Sequence, residues 1–121
     1  MSLLRTFIVA SLALVAGCGE ATDTECPPDN TLSAQNFGEG FMSNHCTQCH
    51  ATALKGSARH GAPDDVNLDT LEGVRAKAKD IDKQAGASAT VTNTSMPPSG
   101  SPAPTVDERR QLSQWLACGA P

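Results

Sequence analysis

One stretch of five residues, Cys46-Thr47-Gln48-Cys49-His50, combines residue types and a spacing that suit one specific chemistry. In a C-x-x-C-H arrangement, each cysteine thiol adds across a haem vinyl group to form a thioether, and the histidine that follows binds the iron. The two residues between the cysteines let both thiols reach the vinyl groups and leave the histidine beneath the porphyrin. The pattern therefore predicts covalent haem attachment at Cys46 and Cys49, with His50 as the proximal ligand.

Two other uses of paired cysteines fit this stretch less well. A thioredoxin-like redox pair also has the C-x-x-C spacing, but it accompanies a βαβ pattern, and this chain lacks the Val- and Ile-rich runs that would form the strands. A structural zinc site needs a second pair of ligands at finger-like spacing. The remaining candidates for that pair have no such spacing; they are Cys26, His45, His60 and Cys118.

A methionine followed by two prolines, Met96-Pro97-Pro98, is the second candidate for chemistry. The thioether of Met96 can reach a haem iron from the face opposite the histidine, and the prolines stiffen the segment and remove backbone donors. A buried methionine usually just fills space in a core, so its interpretation as a ligand depends on the cysteine motif. His60 is the one serious alternative ligand, because Met42 lies too close to that motif.

Two helices are predicted before the methionine. Ser33 can cap a helix over residues 34–44. Asp69, with an acidic residue three positions on, can cap a middle helix over residues 70–85. Apolar residues recur at helical spacing along both segments; they are Phe37, Phe41, Leu71, Val74, Ala78 and Ile81.

A last helix is predicted over residues 106–117, because Thr105 and Glu108 form a capping box at its start. Gly119 follows its end. The segments between the predicted helices are rich in small, polar and proline residues, and loops are expected there. The chain should therefore be all-α.

The motifs and the order of these elements resemble the class I c-type cytochromes over about residues 32–117. Members of that family are small all-helical electron carriers with one covalently held haem. The resemblance implies about three main helices around one haem c, with iron ligated by His50 and Met96. It also implies that Gly38 is the small residue that lets the first and last helices cross closely. Phe41 departs from the pattern, because the family's aromatic usually lies one residue nearer to the first haem cysteine.

The resemblance also gives a role to Gly61-Ala62-Pro63, which is similar to the family's proline-containing loop. In that loop a backbone carbonyl, here assigned to Pro63, accepts a hydrogen bond from the ligand histidine and fixes its ring. The same three residues also suit an ordinary turn.

By this resemblance the chain is expected to carry single electrons between redox-partner proteins, to be no enzyme and to take no small-molecule substrate. A peroxidase-like haem enzyme and a haem-based redox or gas sensor stay open, because both use the same attachment motif but leave the sixth iron position free. The formal net charge of −4 suggests no affinity for nucleic acid.

An export signal is predicted at residues 1–17. It has one basic residue, Arg5, then an apolar run over residues 7–16, then small residues before Cys18. This run is too short to cross a bilayer of about 30 Å as a helix. Residues 15–18, Val-Ala-Gly-Cys, resemble a bacterial lipobox, in which the signal is cut before the cysteine and the thiol is acylated. An ordinary signal peptide with an incidental cysteine is the alternative.

The mature chain is thus expected in the periplasm, held to a bacterial membrane by lipidated Cys18. Residues 18–31 are predicted to be a polar tether, and residues 32–121 a cytochrome c-like domain. Cys26 and Cys118 remain once lipid and haem have taken the other three cysteines, and exported chains oxidise such pairs. A disulfide between them is predicted, with two free thiols as the alternative.

Overall fold

The computed structural model describes residues 19–121. The predicted export signal and Cys18 lie outside this part of the chain. Within the described residues there is no strand, only an isolated antiparallel bridge between Ala87 and Thr92. The helices are a π-helix Ala34–Gly38, α1 Glu39–His45, a 3-10 helix Gly56–Arg59, α2 Leu71–Ala76, α3 Ala78–Ala85 and α4 Val106–Ala117. The regular secondary structure of the described residues is therefore helical, as the predicted all-α class requires.

The first predicted helix is confirmed, although it opens in a wider form. Ser33 caps it as expected: its hydroxyl accepts from the Asn36 N–H at 3.2 Å, and the Asn36 side chain accepts from the Ser33 N–H at 2.8 Å. The first turn, Ala34–Gly38, is π-helical and continues directly into α1. The attachment motif therefore begins where this helix ends.

The middle helix was expected to be continuous, and this prediction is wrong. Lys77 leaves the helical conformation, with φ −111° and ψ 12°, and divides the segment into α2 and α3. Its N–H is shared between the carbonyls of Gly73 and Val74, at 3.2 Å from each, so the last turn of α2 tightens before α3 begins.

The predicted cap of this segment is also wrong. Thr70 caps α2, because its hydroxyl accepts from the Gly73 N–H at 3.1 Å. The Asp69 carboxylate instead accepts from the N–H and hydroxyl of Thr52, both at 3.0 Å. Asp69 therefore fastens the loop after the C-x-x-C-H motif rather than the helix.

The last helix, α4, has the predicted bounds and capping box. It crosses the first helix where Trp115, which is fully buried, lies against Gly38. A Cβ at Gly38 would overlap the tryptophan ring, so only glycine permits this approach. Phe37 packs edge-on against the same ring, with the two ring centroids 6.0 Å apart. The expected contact between the last helix and Gly38 is therefore present, and the ring of Trp115 makes it.

The N-terminal segment, residues 19–31, which was predicted to be part of a polar tether, lies against the helical body. The Asp82 carboxylate of α3 accepts from the N–H and the hydroxyl of Thr22, both at 2.9 Å. The predicted disulfide between Cys26 and Cys118 is present, with a Cα–Cα distance of 4.7 Å. No helix among residues 19–121 is long and apolar enough to cross a membrane.

Candidate functional site

A cavity of about 360 Å³ brings the two sequence motifs together. Cys46, Cys49 and His50 line it from the end of α1, and Met96 lines it from the loop before α4. Its volume lies in the range of small-molecule and cofactor sites. Apolar side chains form much of its wall; they include Val66, Leu68, Ile81 and Ala85.

His50 is held by hydrogen bonds through both its backbone and its ring. Its N–H donates to the carbonyl of Cys46 at 3.0 Å, and its own carbonyl accepts from the Leu68 N–H at 2.8 Å. The ring Nδ1 lies 3.2 Å from the carbonyl oxygen of Val66. Because a carbonyl only accepts, Nδ1 carries the proton and Nε2 is the nitrogen that is free to bind a metal.

The carbonyl that fixes the His50 ring belongs to Val66, so its assignment to Pro63 is wrong. The chain turns after Pro63, and the Val66 N–H donates to the Pro63 carbonyl at 3.1 Å. That carbonyl also accepts from Arg59 Nη2 at 2.6 Å. The turn therefore encloses the Pro63 oxygen and presents the Val66 oxygen to the histidine. Pro63 itself still lines the cavity.

Met96 is fastened through its backbone while its side chain lies at the cavity. Its N–H donates to the Gln84 carbonyl at 2.8 Å, and its carbonyl accepts from Arg109 Nη1 at 2.9 Å. Met96 is 38% exposed, so it does not fill a gap in the packed core. The following peptide bond, Met96–Pro97, is cis.

Arg109 positions the loop before α4 that carries Met96, and this role was not predicted from the sequence. It is 4% exposed and donates through Nη1 to three carbonyls, those of Ala85, Asn93 and Met96, at 2.8–2.9 Å. Burial lowers the pKa of its guanidinium. The signal was available, because Arg109 lies three residues before Leu112 on the apolar stripe of α4.

The environment of Cys46 differs from that of a redox-active cysteine pair. Burial raises the pKa of the Cys46 thiol to about 12, and the charge of Arg109 opposes this effect. Reactive C-x-x-C cysteines have lowered pKa values, because their thiolates must be accessible near neutral pH. Cys46 and Cys49 are both free thiols in the structure. These features disfavour the thioredoxin-like interpretation.

The other histidines lie around the same cavity. His60 lines it directly after the 3-10 helix, with a positive φ of 51° and an exposed side chain. His45 also lines it, and its Nδ1 lies 2.8 Å from the Pro102 carbonyl. Both Met96 and His60 are therefore available to the cavity, and the choice of sixth ligand stays a prediction.

A zinc site would need a cluster of thiolate, imidazole or carboxylate ligands. Within residues 19–121, no group of three or more His, Cys, Asp or Glu side chains is arranged to hold a metal ion.

Comparison of the chain with protein-family models, with curated proteins and with solved structures found no match. A function is therefore inferred from the motifs and from the geometry of this cavity.

Proposed function

We propose that this chain is a c-type cytochrome that carries single electrons between redox-partner proteins. Haem c would be attached through Cys46 and Cys49, and its iron would be ligated by His50 and Met96, in a small cytochrome c-like fold. One observation carries the proposal: the C-x-x-C-H motif and the late methionine line a single cavity, although they are distant in sequence.

The residues of the cavity fit the chemistry of this group. Two free thiols are available for thioether bonds, and the imidazole has its Nδ1 occupied by a carbonyl so that Nε2 is left for iron. The thioether of Met96 is the other donor of the set, which matches the His/Met ligation of cytochromes c. Haem, when bound, supplies reversible one-electron chemistry at iron.

The residues of the chain would hold both ligands in place during that chemistry. The hydrogen bond to Val66 fixes the orientation of the His50 ring, and the backbone of Met96 is bound on both sides, by Gln84 and Arg109. Apolar side chains, among them Val66, Leu68 and Ile81, form much of the wall of the cavity. A fixed His50 ring and a fixed Met96 backbone would limit the change in ligand geometry between two oxidation states, as an electron carrier requires.

The absorption spectrum of protein made in a haem-maturing host tests this proposal. We expect a sharp reduced α-band, and after extraction with acid acetone the colour should stay with the polypeptide. The Cys46→Ala, Cys49→Ala double variant should accumulate without haem. Recovery of free haem from the wild-type protein would refute covalent attachment.

The sixth ligand is tested by comparing Met96→Ala with His60→Ala. Loss of the methionine should remove the Met–iron charge-transfer band, lower the midpoint potential and open the iron to added imidazole or cyanide. The matched His60→Ala variant should leave all three properties unchanged. The opposite result would assign the ligand to His60. A wild-type protein that binds imidazole or cyanide as readily as Met96→Ala would instead point to a haem enzyme or sensor.

We also propose that the protein is exported and anchored by lipid at Cys18. The disulfide between Cys26 and Cys118 supports export, because such bonds persist in oxidising compartments. Two acyl chains anchor a protein stably where one is marginal. Cys18→Ser should therefore move the protein from the membrane fraction to the soluble fraction, and an unchanged partition would refute lipidation.

A further inference from the structure

Arg59 is the most completely buried charged residue beside the cavity, with 2% of its surface exposed. It ends the 3-10 helix, and its guanidinium donates into the loop that follows the haem motif. It has six acceptors: the carbonyls of Ala51, Leu54, Ala62, Pro63 and Val66 and the side-chain oxygen of Asn67. One side chain therefore organises the whole segment that presents a carbonyl to His50.

The carbonyl of Val66 accepts from two donors at once. Arg59 Nη2 donates to it at 2.8 Å, and His50 Nδ1 donates to it at 3.2 Å. A carbonyl oxygen has two lone pairs, so both bonds can form together. The shorter bond comes from the cation, and charge-assisted hydrogen bonds are roughly twice as strong as neutral ones. The guanidinium therefore draws electron density from the oxygen that His50 also needs.

The charge of Arg59 is not cancelled by a buried partner. Among residues 19–121, its one ion pair joins Nε to the Asp64 carboxylate at 3.6 Å, and the Asp64 side chain is 87% exposed. The charge of Arg59 also acts on Asp65 and Asp69, and both of these residues are exposed too. Exposed carboxylates are well screened by water, so such a pair is weak. A positive charge thus remains within one hydrogen bond of the carbonyl that orients the proximal histidine.

We propose that Arg59 is a positioning residue that raises the reduction potential of the haem site through the Val66 carbonyl; this inference rests on the proposed function. A weaker hydrogen bond at His50 Nδ1 leaves less electron density on the ring, and a less electron-rich ligand favours the reduced state of bound iron. The nearby positive charge acts in the same direction.

Two substitutions of Arg59 and one matched control test the proposal on the haem-loaded protein. Arg59→Gln removes the charge. Arg59→Lys keeps a charge but replaces the planar fork with a point charge, so it cannot keep all of the same bonds. Asn67→Ala removes an acceptor of the same guanidinium, at Nη1, and leaves the bond to Val66 in place.

The midpoint potential is the main readout. At a fixed potential, Arg59→Gln should lower the ratio of reduced to oxidised protein about tenfold, by analogy with the smallest losses of metal affinity or activity that follow when an outer-shell partner is removed. For one electron, this factor corresponds to about 59 mV. Arg59→Lys should show a smaller shift in the same direction. Asn67→Ala should lower the denaturation midpoint but leave the potential unchanged.

The outcomes separate this inference from the proposed function. Absence of covalent haem in the wild-type protein would refute the proposed function before Arg59 is examined. With haem present, a wild-type potential in folded Arg59→Gln would overturn the inference, and so would an equal shift in Asn67→Ala, because that shift would follow from general loosening of the loop. If Arg59→Gln does not accumulate, Arg59→Lys decides the matter: a potential equal to that of the wild type overturns the inference.

Discussion

Removing the disulfide between Cys26 and Cys118 should cost a large part of the stability of this chain. The bond closes a loop with a sequence separation of 92 residues. In the chain-entropy model, the lost freedom of the unfolded chain at 25 °C corresponds to about 4.6 kcal/mol. Small domains have only about 5–15 kcal/mol in total. The Cys26→Ala, Cys118→Ala double variant should therefore be marginally stable.

This loss should act through the unfolded state, because other contacts keep the native segment in place. Thr22 remains bound to Asp82, and the Gln114 side chain still donates to Asn30 at 2.9 Å. Thr22→Ala is the matched control, since it removes native hydrogen bonds of the same segment but keeps the disulfide. It should cost about 1 kcal/mol.

Urea unfolding is the assay, followed by circular dichroism and by the fluorescence of Trp115, the one tryptophan, which is fully buried. With an m value of about 1.5 kcal/mol/M, the double variant should lose about 3 M in its urea midpoint. Reduction of the wild-type disulfide should give the same midpoint. A loss below about 1 kcal/mol would refute the reasoning, because the unfolded chain would then gain little freedom when the loop opens.

Three further predictions concern the helices. Gly38→Ala should lower stability by about 1–3 kcal/mol, measured by thermal melting, because the added methyl group overlaps Trp115. Arg109→Met should free the carbonyl of Met96 and, in the haem-loaded protein that we propose, weaken the Met–iron charge-transfer band, whereas substitution of the exposed neighbour Arg110 should not. The pKa of Glu108 is lowered chiefly by the backbone N–H of the cap residue. The contribution of Glu108 to stability is therefore present above its ordinary pKa of 4.5 and is lost as the pH falls through the lowered value. The melting temperature of Glu108→Gln should therefore fall less steeply with decreasing pH than that of the wild-type protein.

The sequence predicted features that are signalled by a short pattern or by a residue type. The capping box before α4 depends on two residues three positions apart, and its prediction was correct. The contact of Gly38 with Trp115 came from the family resemblance, and the disulfide from a count of cysteines in an exported chain. In each case a short pattern or a residue type was sufficient.

The errors have long-range or backbone causes. Asp69 was expected to cap a helix, but Thr52 holds its carboxylate, and this partner is distant in sequence. The carbonyl that orients His50 belongs to Val66 because a turn redirects the chain, and carbonyls have no signature in the sequence. The same reason concealed Arg59, whose acceptors are nearly all backbone oxygens.

The packed N-terminal segment determines how far a membrane-held form of this protein could travel from its anchor. Gly19 lies so close to the Lys83 carbonyl that an added Cβ would overlap it, and the Glu20 N–H donates to Asn93 at 3.2 Å. A lipid on Cys18 would therefore be joined to the folded body with almost no slack. A carrier attached in this way would have no flexible tether with which to reach partners far from the membrane surface. With lipid on Cys18, as proposed, the folded body would stay next to the bilayer and would meet its partners by lateral diffusion in the plane of the membrane.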